Sequence, residues 1–133
     1  MAKRLAHLCL VVRDLDTAVS FYRDVLGMTE AFPFINKEGK QYGQYFHVGE
    51  GSFLELFAGE HDARDDRQSY RHFCLQVEDI AAEVDRLRKA GLTVSDVKTG
   101  TDRSYQAWLE DPDGNRIELH QYTPDSKQLP WAM

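Results

Sequence analysis

Residues 7–15 read His-Leu-Cys-Leu-Val-Val-Arg-Asp-Leu, and residues 72–80 read His-Phe-Cys-Leu-Gln-Val-Glu-Asp-Ile. The shared pattern is H-x-C-L-x-V-x-D-[L/I], and the match continues beyond it. Val19 and Val84 each lie twelve residues after their histidine, and Gly27 and Gly91 follow it by twenty and nineteen. The distal ends match as well: Leu54-Glu55-Leu56 is centred 48 residues after His7, and Ile117-Glu118-Leu119 is centred 46 residues after His72. One module therefore occurs twice, at about residues 4–58 and 70–122, followed by a tail at 123–133. The polar joint Gly59–Arg71 has the composition of an exposed loop.

Each copy reads as strand, helix, then three strands. Leu5–Val12 and His72–Val77 are apolar, and period-2 alternation puts His7, Cys9 and Val11 on one face. Asp14 or Asp16, and Asp79, suit helix N-caps ahead of helices at Asp16–Leu26 and Ile80–Ala90. Gly27 and Gly91 suit left-handed helix stops. In the first module the strands are expected at Thr29–Phe34, Tyr42–Val48 and Phe53–Phe57. In the second they are expected at Thr93–Val97, Ser104–Leu109 and Arg116–Gln121. Asn36-Lys37-Glu38-Gly39, Gly49-Glu50-Gly51 and Asp111-Pro112-Asp113-Gly114-Asn115 carry turn chemistry between them. The implied class is α+β, two tandem βαβββ modules forming a cupped mixed sheet around a shared groove.

The repeat also pairs chemically useful side chains. Each module has one histidine on its first strand and one glutamate on its last. Glu55 stands between Leu54 and Leu56, and Glu118 between Ile117 and Leu119. A carboxylate between core-type neighbours needs a partner, because an unpaired buried charge costs several kcal/mol. A divalent cation is one such partner. Two imidazoles and two carboxylates form a mixed nitrogen and oxygen set, which favours one transition ion (Zn, Ni, Co, Mn or Fe) over calcium or magnesium. Metal plus two carboxylates is formally neutral, which lowers the cost of burial. By alternation Gln44, Phe46, Gln106 and Trp108 are expected to line the groove, and His120 shares the strand face of Glu118.

The bulk properties narrow the partners. A chain of 133 residues, 42% hydrophobic and 29% charged, suits a single globular domain. A net charge of −6 disfavours a polyphosphate partner, so no nucleic acid is expected. No apolar run approaches the roughly 20 residues of a membrane span. The start lacks a secretory pattern, so a cytoplasmic location is expected. Cys9 and Cys74 are too few for a disulfide framework and are expected to be small buried apolar residues.

Two further stretches carry a family resemblance. They are Phe21-Tyr22-Arg23-Asp24-Val25-Leu26-Gly27-Met28 and Glu110-Asp111-Pro112-Asp113-Gly114-Asn115-Arg116-Ile117-Glu118. With His7 and Asp14-Leu15-Asp16, they make the chain resemble the vicinal-oxygen-chelate superfamily over about residues 4–122. That superfamily includes glyoxalase I, methylmalonyl-CoA epimerase, extradiol dioxygenases, and fosfomycin- and bleomycin-resistance proteins. The resemblance implies a metal held by His7, Glu55, His72 and Glu118, a set similar to that of bacterial glyoxalase I. It implies a lyase or isomerase acting on a small oxygenated substrate, an α-hydroxycarbonyl or thiohemiacetal, through metal-stabilised enolate chemistry. Glu55 and Glu118 would then exchange the proton, and a homodimer would be usual. Two positions depart from glyoxalase I: Val11 stands where that enzyme has an arginine for the glutathione carboxylate, and Gly59 where it has an asparagine. Two alternatives stay open: an Fe(II)-dependent ring-cleaving dioxygenase, and a non-enzymatic protein that sequesters a drug or metabolite.

Overall fold

The computed structural model describes residues 1–132, which form two compact units, residues 1–63 and the residues from 64 on. The first contains β1 (His7–Val12), α1 (Leu15–Ser20), β2 (Thr29–Ile35), β3 (Gln41–Gly49) and β4 (Ser52–Ala58). The second contains β5 (Phe73–Gln76), α2 (Ile80–Lys89), β6 (Lys98–Thr99), β7 (Tyr105–Glu110) and β8 (Arg116–Gln121). Each unit has its own four-stranded mixed sheet, ordered β1-β4-β3-β2 and β5-β8-β7-β6. The α+β class and the βαβββ repeat are therefore as the sequence implies.

Strand order is what brings distant residues together. A helical crossover returns the chain so that the first strand of a module lies parallel to its last. Cys9 pairs with Glu55, and Cys74 with Glu118. Residues far apart in the chain thus become neighbours on one sheet. The register also sorts the faces. Leu54 and Leu56 are 2% and 0% exposed, on the face to which α1 packs. Their neighbours Phe53, Glu55 and Phe57 point the other way.

The helices start where local chemistry allows. Asp14 adopts extended backbone and accepts the Thr17 amide at 3.0 Å; Asp79 does the same for Ala82 at 3.1 Å. The first helix does not stay regular to Leu26. It widens into a π-helical turn over Phe21–Val25, with the Leu26 amide reaching the Phe21 carbonyl. Consecutive Phe21 and Tyr22 are both buried there. In the second unit the strand expected at Thr93–Val97 is not formed. Arg88 takes the Val94 carbonyl through two N–H groups (2.8 and 3.2 Å) and also binds Asp96. Ser95 alone bridges to β7, its amide donating to the Trp108 carbonyl and its hydroxyl accepting the Trp108 amide, and among the described residues regular pairing is confined to Lys98–Thr99.

Gly43 shows how closely the first sheet is packed. A Cβ there would lie 2.6 Å from the Leu56 carbonyl oxygen and 2.8 Å from Phe57. Backbone cannot yield cheaply, so Gly43→Ala is expected to cost about 1–3 kcal/mol. Urea denaturation should show a lowered midpoint; an unchanged midpoint would mean that the strands separate freely.

Candidate metal centre

The site elements begin with the uncovered face of each sheet. In the first unit His7 Nε2 lies 3.2 Å from Glu55 Oε1. In the second His72 Nε2 lies 3.3 Å from Glu118 Oε1. The two carboxylates are mostly shielded, with side chains 17% and 13% exposed, while the imidazoles are more open. The same pair is therefore built twice, by the same parallel strand contact.

Within each unit the spacing of the pair suits two ligands on one ion. Metal–nitrogen and metal–oxygen bonds near 2.0–2.2 Å, at angles from octahedral to tetrahedral, put adjacent ligand atoms about 2.8–3.6 Å apart. Both pairs fall in that range. The donor set, neutral imidazole and carboxylate, is the one that divalent transition ions accept. The residues present therefore fit such an ion.

Cysteine enters this site unexpectedly. Cys9 and Cys74 are exposed rather than buried in the core, because they share the face of Glu55 and Glu118 that no helix of their own unit covers. Burial first, then the Glu118 carboxylate, pushes the Cys74 thiol up to about 12. Cys9 is raised by partial burial and by its hydrogen bond to Glu55. Cys74 donates to Glu118 Oε2 across 3.5 Å. Cys74, Glu118 and His120 bring a sulfur, a carboxylate oxygen and a ring nitrogen within 4.8 Å of one another. The signal for the cysteines was present in the repeated H-x-C, two residues apart on one strand face.

The remaining sequence expectations divide by face. Tyr45, not Gln44 or Phe46, pairs with Glu55. Gln44 and Phe46 sit opposite Leu56 and Leu54, on the buried face, 3% and 0% exposed. The Gln44 amide is used up on the Phe32 and Tyr45 carbonyls. Neither lines the face of Glu55, and this corrects the expectation. In the second unit Trp108 pairs with Glu118, and Gln106 with His120, so both share the glutamate's face. The Trp108 ring meets His72 edge-on at 4.6 Å and carries the Arg116 guanidinium 4.8 Å from its centre. His120 is buried and bonds Glu118.

The aromatic lining of the first unit was missed. Tyr45 stacks on Phe32 at 4.8 Å and tilts against Phe53 at 5.3 Å, and Phe34 packs on Phe57 at 4.9 Å. The sequence held the signal in the alternate aromatics of β2 and β4, once the register was fixed. At the far end of β1, a Cβ on Gly59 would lie 3.1 Å from Val11 Cγ1, so the two positions that depart from the glyoxalase I pattern are neighbours.

Residues 4–119 match the sequence profile of the Glyoxalase/Bleomycin resistance protein/Dioxygenase superfamily. The chain belongs to that superfamily. It is 34% identical over 126 residues to a probable lactoylglutathione lyase of Vibrio cholerae, covering 89% of this chain and 90% of that one. It is 34% identical over 124 residues to a lactoylglutathione lyase of Salmonella typhimurium, covering 87% and 90%. The fold is like that of a glyoxalase family protein from Enterococcus faecalis, with a TM-score of 0.76, 22% identity, and 89% and 97% of the two chains covered. These likenesses support an enzyme of glyoxalase type. Among the described residues no helix is long and apolar enough to cross a membrane.

The thiol geometry is directly testable. At pH 8 a thiol at about 12 holds roughly a thousandth of the thiolate of an ordinary one, partly offset by its greater intrinsic nucleophilicity. Iodoacetamide is expected to modify Cys74 roughly fiftyfold more slowly in the folded than in the unfolded protein. Glu118→Gln removes the negative charge, lowers the thiol's proton affinity and should speed the reaction. Equal rates in all three samples would remove the contact.

Proposed function

We propose that this chain is a metal-dependent lyase or isomerase of glyoxalase type. In this reading His7, Glu55, His72 and Glu118 supply four ligands to one divalent transition ion. The observation that carries it is the duplication of an imidazole–carboxylate pair at coordination spacing, 3.2 Å in one unit and 3.3 Å in the other. One such contact is an ordinary polar pair; its recurrence in both copies of a repeat supports the ligand-set reading.

When bound, the ion would supply Lewis-acid stabilisation of negative charge developing on a substrate oxygen. The protein's own groups do the rest. Glu55 and Glu118 exchange a proton with the carbon beside a carbonyl, one removing it and the other returning it. Their shielded positions keep water from competing for that proton. Gln106 and Trp108, on the face of Glu118, offer polar and flat surface for the substrate. The ion would be one of Zn, Ni, Co, Mn or Fe, since the donors are imidazole and carboxylate.

The substrate is a small oxygenated molecule with an apolar end. Val11 stands where glyoxalase I carries an arginine for the glutathione carboxylate, and Gly59, beside it, where that enzyme carries an asparagine. The Val11 side chain offers a carboxylate no ionic or hydrogen-bonding partner. The protein acts as a soluble homodimer in this reading, as is usual in the superfamily.

Metal titration of purified protein should saturate near one ion per chain, and loss of either histidine should abolish tight binding. Glu55→Gln and Glu118→Gln should each slow exchange of the substrate's α-proton with deuterated solvent by about 10²–10⁴-fold. Full exchange in both variants would reject the carboxylate roles. Iron with oxygen consumption would mark a dioxygenase, and ligand binding without any metal would mark a sequestering protein.

A further inference from the structure

The two modules place different residues at one corresponding position. Two residues past Glu55 stands Phe57; two residues past Glu118 stands His120. Each points to the same face as its glutamate. Phe57 has nothing to donate. His120 Nδ1 lies 3.0 Å from Glu118 Oε2. A carboxylate only accepts, so the ring nitrogen carries the proton.

The surroundings fix that ring. His120 is 7% exposed, and its edge packs on Tyr122 at 4.8 Å. Its Nε2 is buried without a hydrogen-bond partner among the described residues. A lone pair left there is cheaper than a buried N–H, which would forfeit a donor's bond. Burial therefore reinforces the tautomer that the carboxylate selects. The two oxygens of Glu118 are then divided. Oε2 takes His120 and the weak Cys74 thiol, while Oε1 faces His72 Nε2 at 3.3 Å.

We propose that His120 is a positioning residue that holds Glu118 through Oε2, so that Oε1 alone is presented to a cation beside His72. This rests on the proposed metal function. It makes Glu118 the oriented, single-oxygen ligand of the second unit. The second oxygen and the imidazole act together, since a partner that orients a ligating carboxylate also sharpens the geometry that the ion meets.

Two substitutions separate this role from packing. Asn places an N–H close to the position of Nδ1, whereas Phe reproduces the first module. His120→Phe is expected to weaken binding of Zn²⁺ or Ni²⁺ by about 10–100-fold, measured by competition with a chromophoric chelator. His120→Asn should recover most of that loss. Unchanged affinity in His120→Phe overturns the proposal, as does an equal loss in both variants. In the Co²⁺-loaded protein, a thiolate charge-transfer band that disappears in Cys74→Ser would identify Cys74 as a ligand, put the ion on the Oε2 side of Glu118 and also overturn it. Nitrogen NMR of the metal-free protein gives a reading independent of the ion. An Nδ1–H tautomer at His120 is expected, and an Nε2–H tautomer overturns the positioning role whatever the metal result. If the chain binds no divalent ion yet shows the Nδ1–H tautomer, the metal function fails while the hold on Glu118 stands.

Discussion

An ionised carboxylate in the middle of a strand, flanked by two core residues, constrains everything around it. Glu55 between Leu54 and Leu56, and Glu118 between Ile117 and Leu119, must find compensation on the face that the leucines and isoleucine leave. A parallel neighbour supplies it. The crossover helix brings the first strand of each module against the last, so a histidine near the start of the module meets a glutamate near its end. Helix, register and site are parts of one solution: the helix shields the leucine side, and the same pairing that buries it aims imidazole and carboxylate at each other.

Much of this was legible before any coordinate. The repeat gave the modules, the alternation within β1 and β4 gave the faces of His7 and Glu55, and Asp79 and the Asp111 turn acted as read. Asp111 accepts the amides of Asp113 and Asn115 through one oxygen and the Asn115 side chain through the other. What failed did so for lack of pairing information. β3 is mixed on both faces, with Gln44 and Phe46 on one and Tyr45 and His47 on the other, so period 2 alone could not say which faces Glu55. Only the Tyr45–Glu55 register decides it. The segment Thr93–Val97 has strand composition, but Arg88 on α2 claims its carbonyl, a tertiary competition that no local pattern reveals.

The duplication also shows where two copies have parted. The first unit carries a carpet of rings, Phe32, Phe34, Tyr45, Phe53 and Phe57. The second has Trp108 under Arg116 and a polar group of Cys74, Glu118 and His120. The backbone repeat is kept, while the chemistry next to each carboxylate differs. Glu55 takes the Cys9 thiol and lies opposite Tyr45 in register, whereas Glu118 takes both the Cys74 thiol and the His120 ring. A symmetric scaffold thus holds two acids in unlike settings, the condition under which a pair can divide the giving and taking of a proton.

The proton-bearing sulfurs have a consequence for durability. Cys9 and Cys74 stand at the surface, their sulfurs partly desolvated, beside the very groups proposed to handle carbonyl compounds, many of which are electrophiles that capture nucleophilic side chains. Both thiols are held toward their neutral form by burial and by an adjacent negative charge. A reactive aldehyde arriving at either face meets sulfur that is slow to capture it. In the metal-free protein the carboxylates proposed to turn the compound over also keep the thiols beside them in the less nucleophilic form.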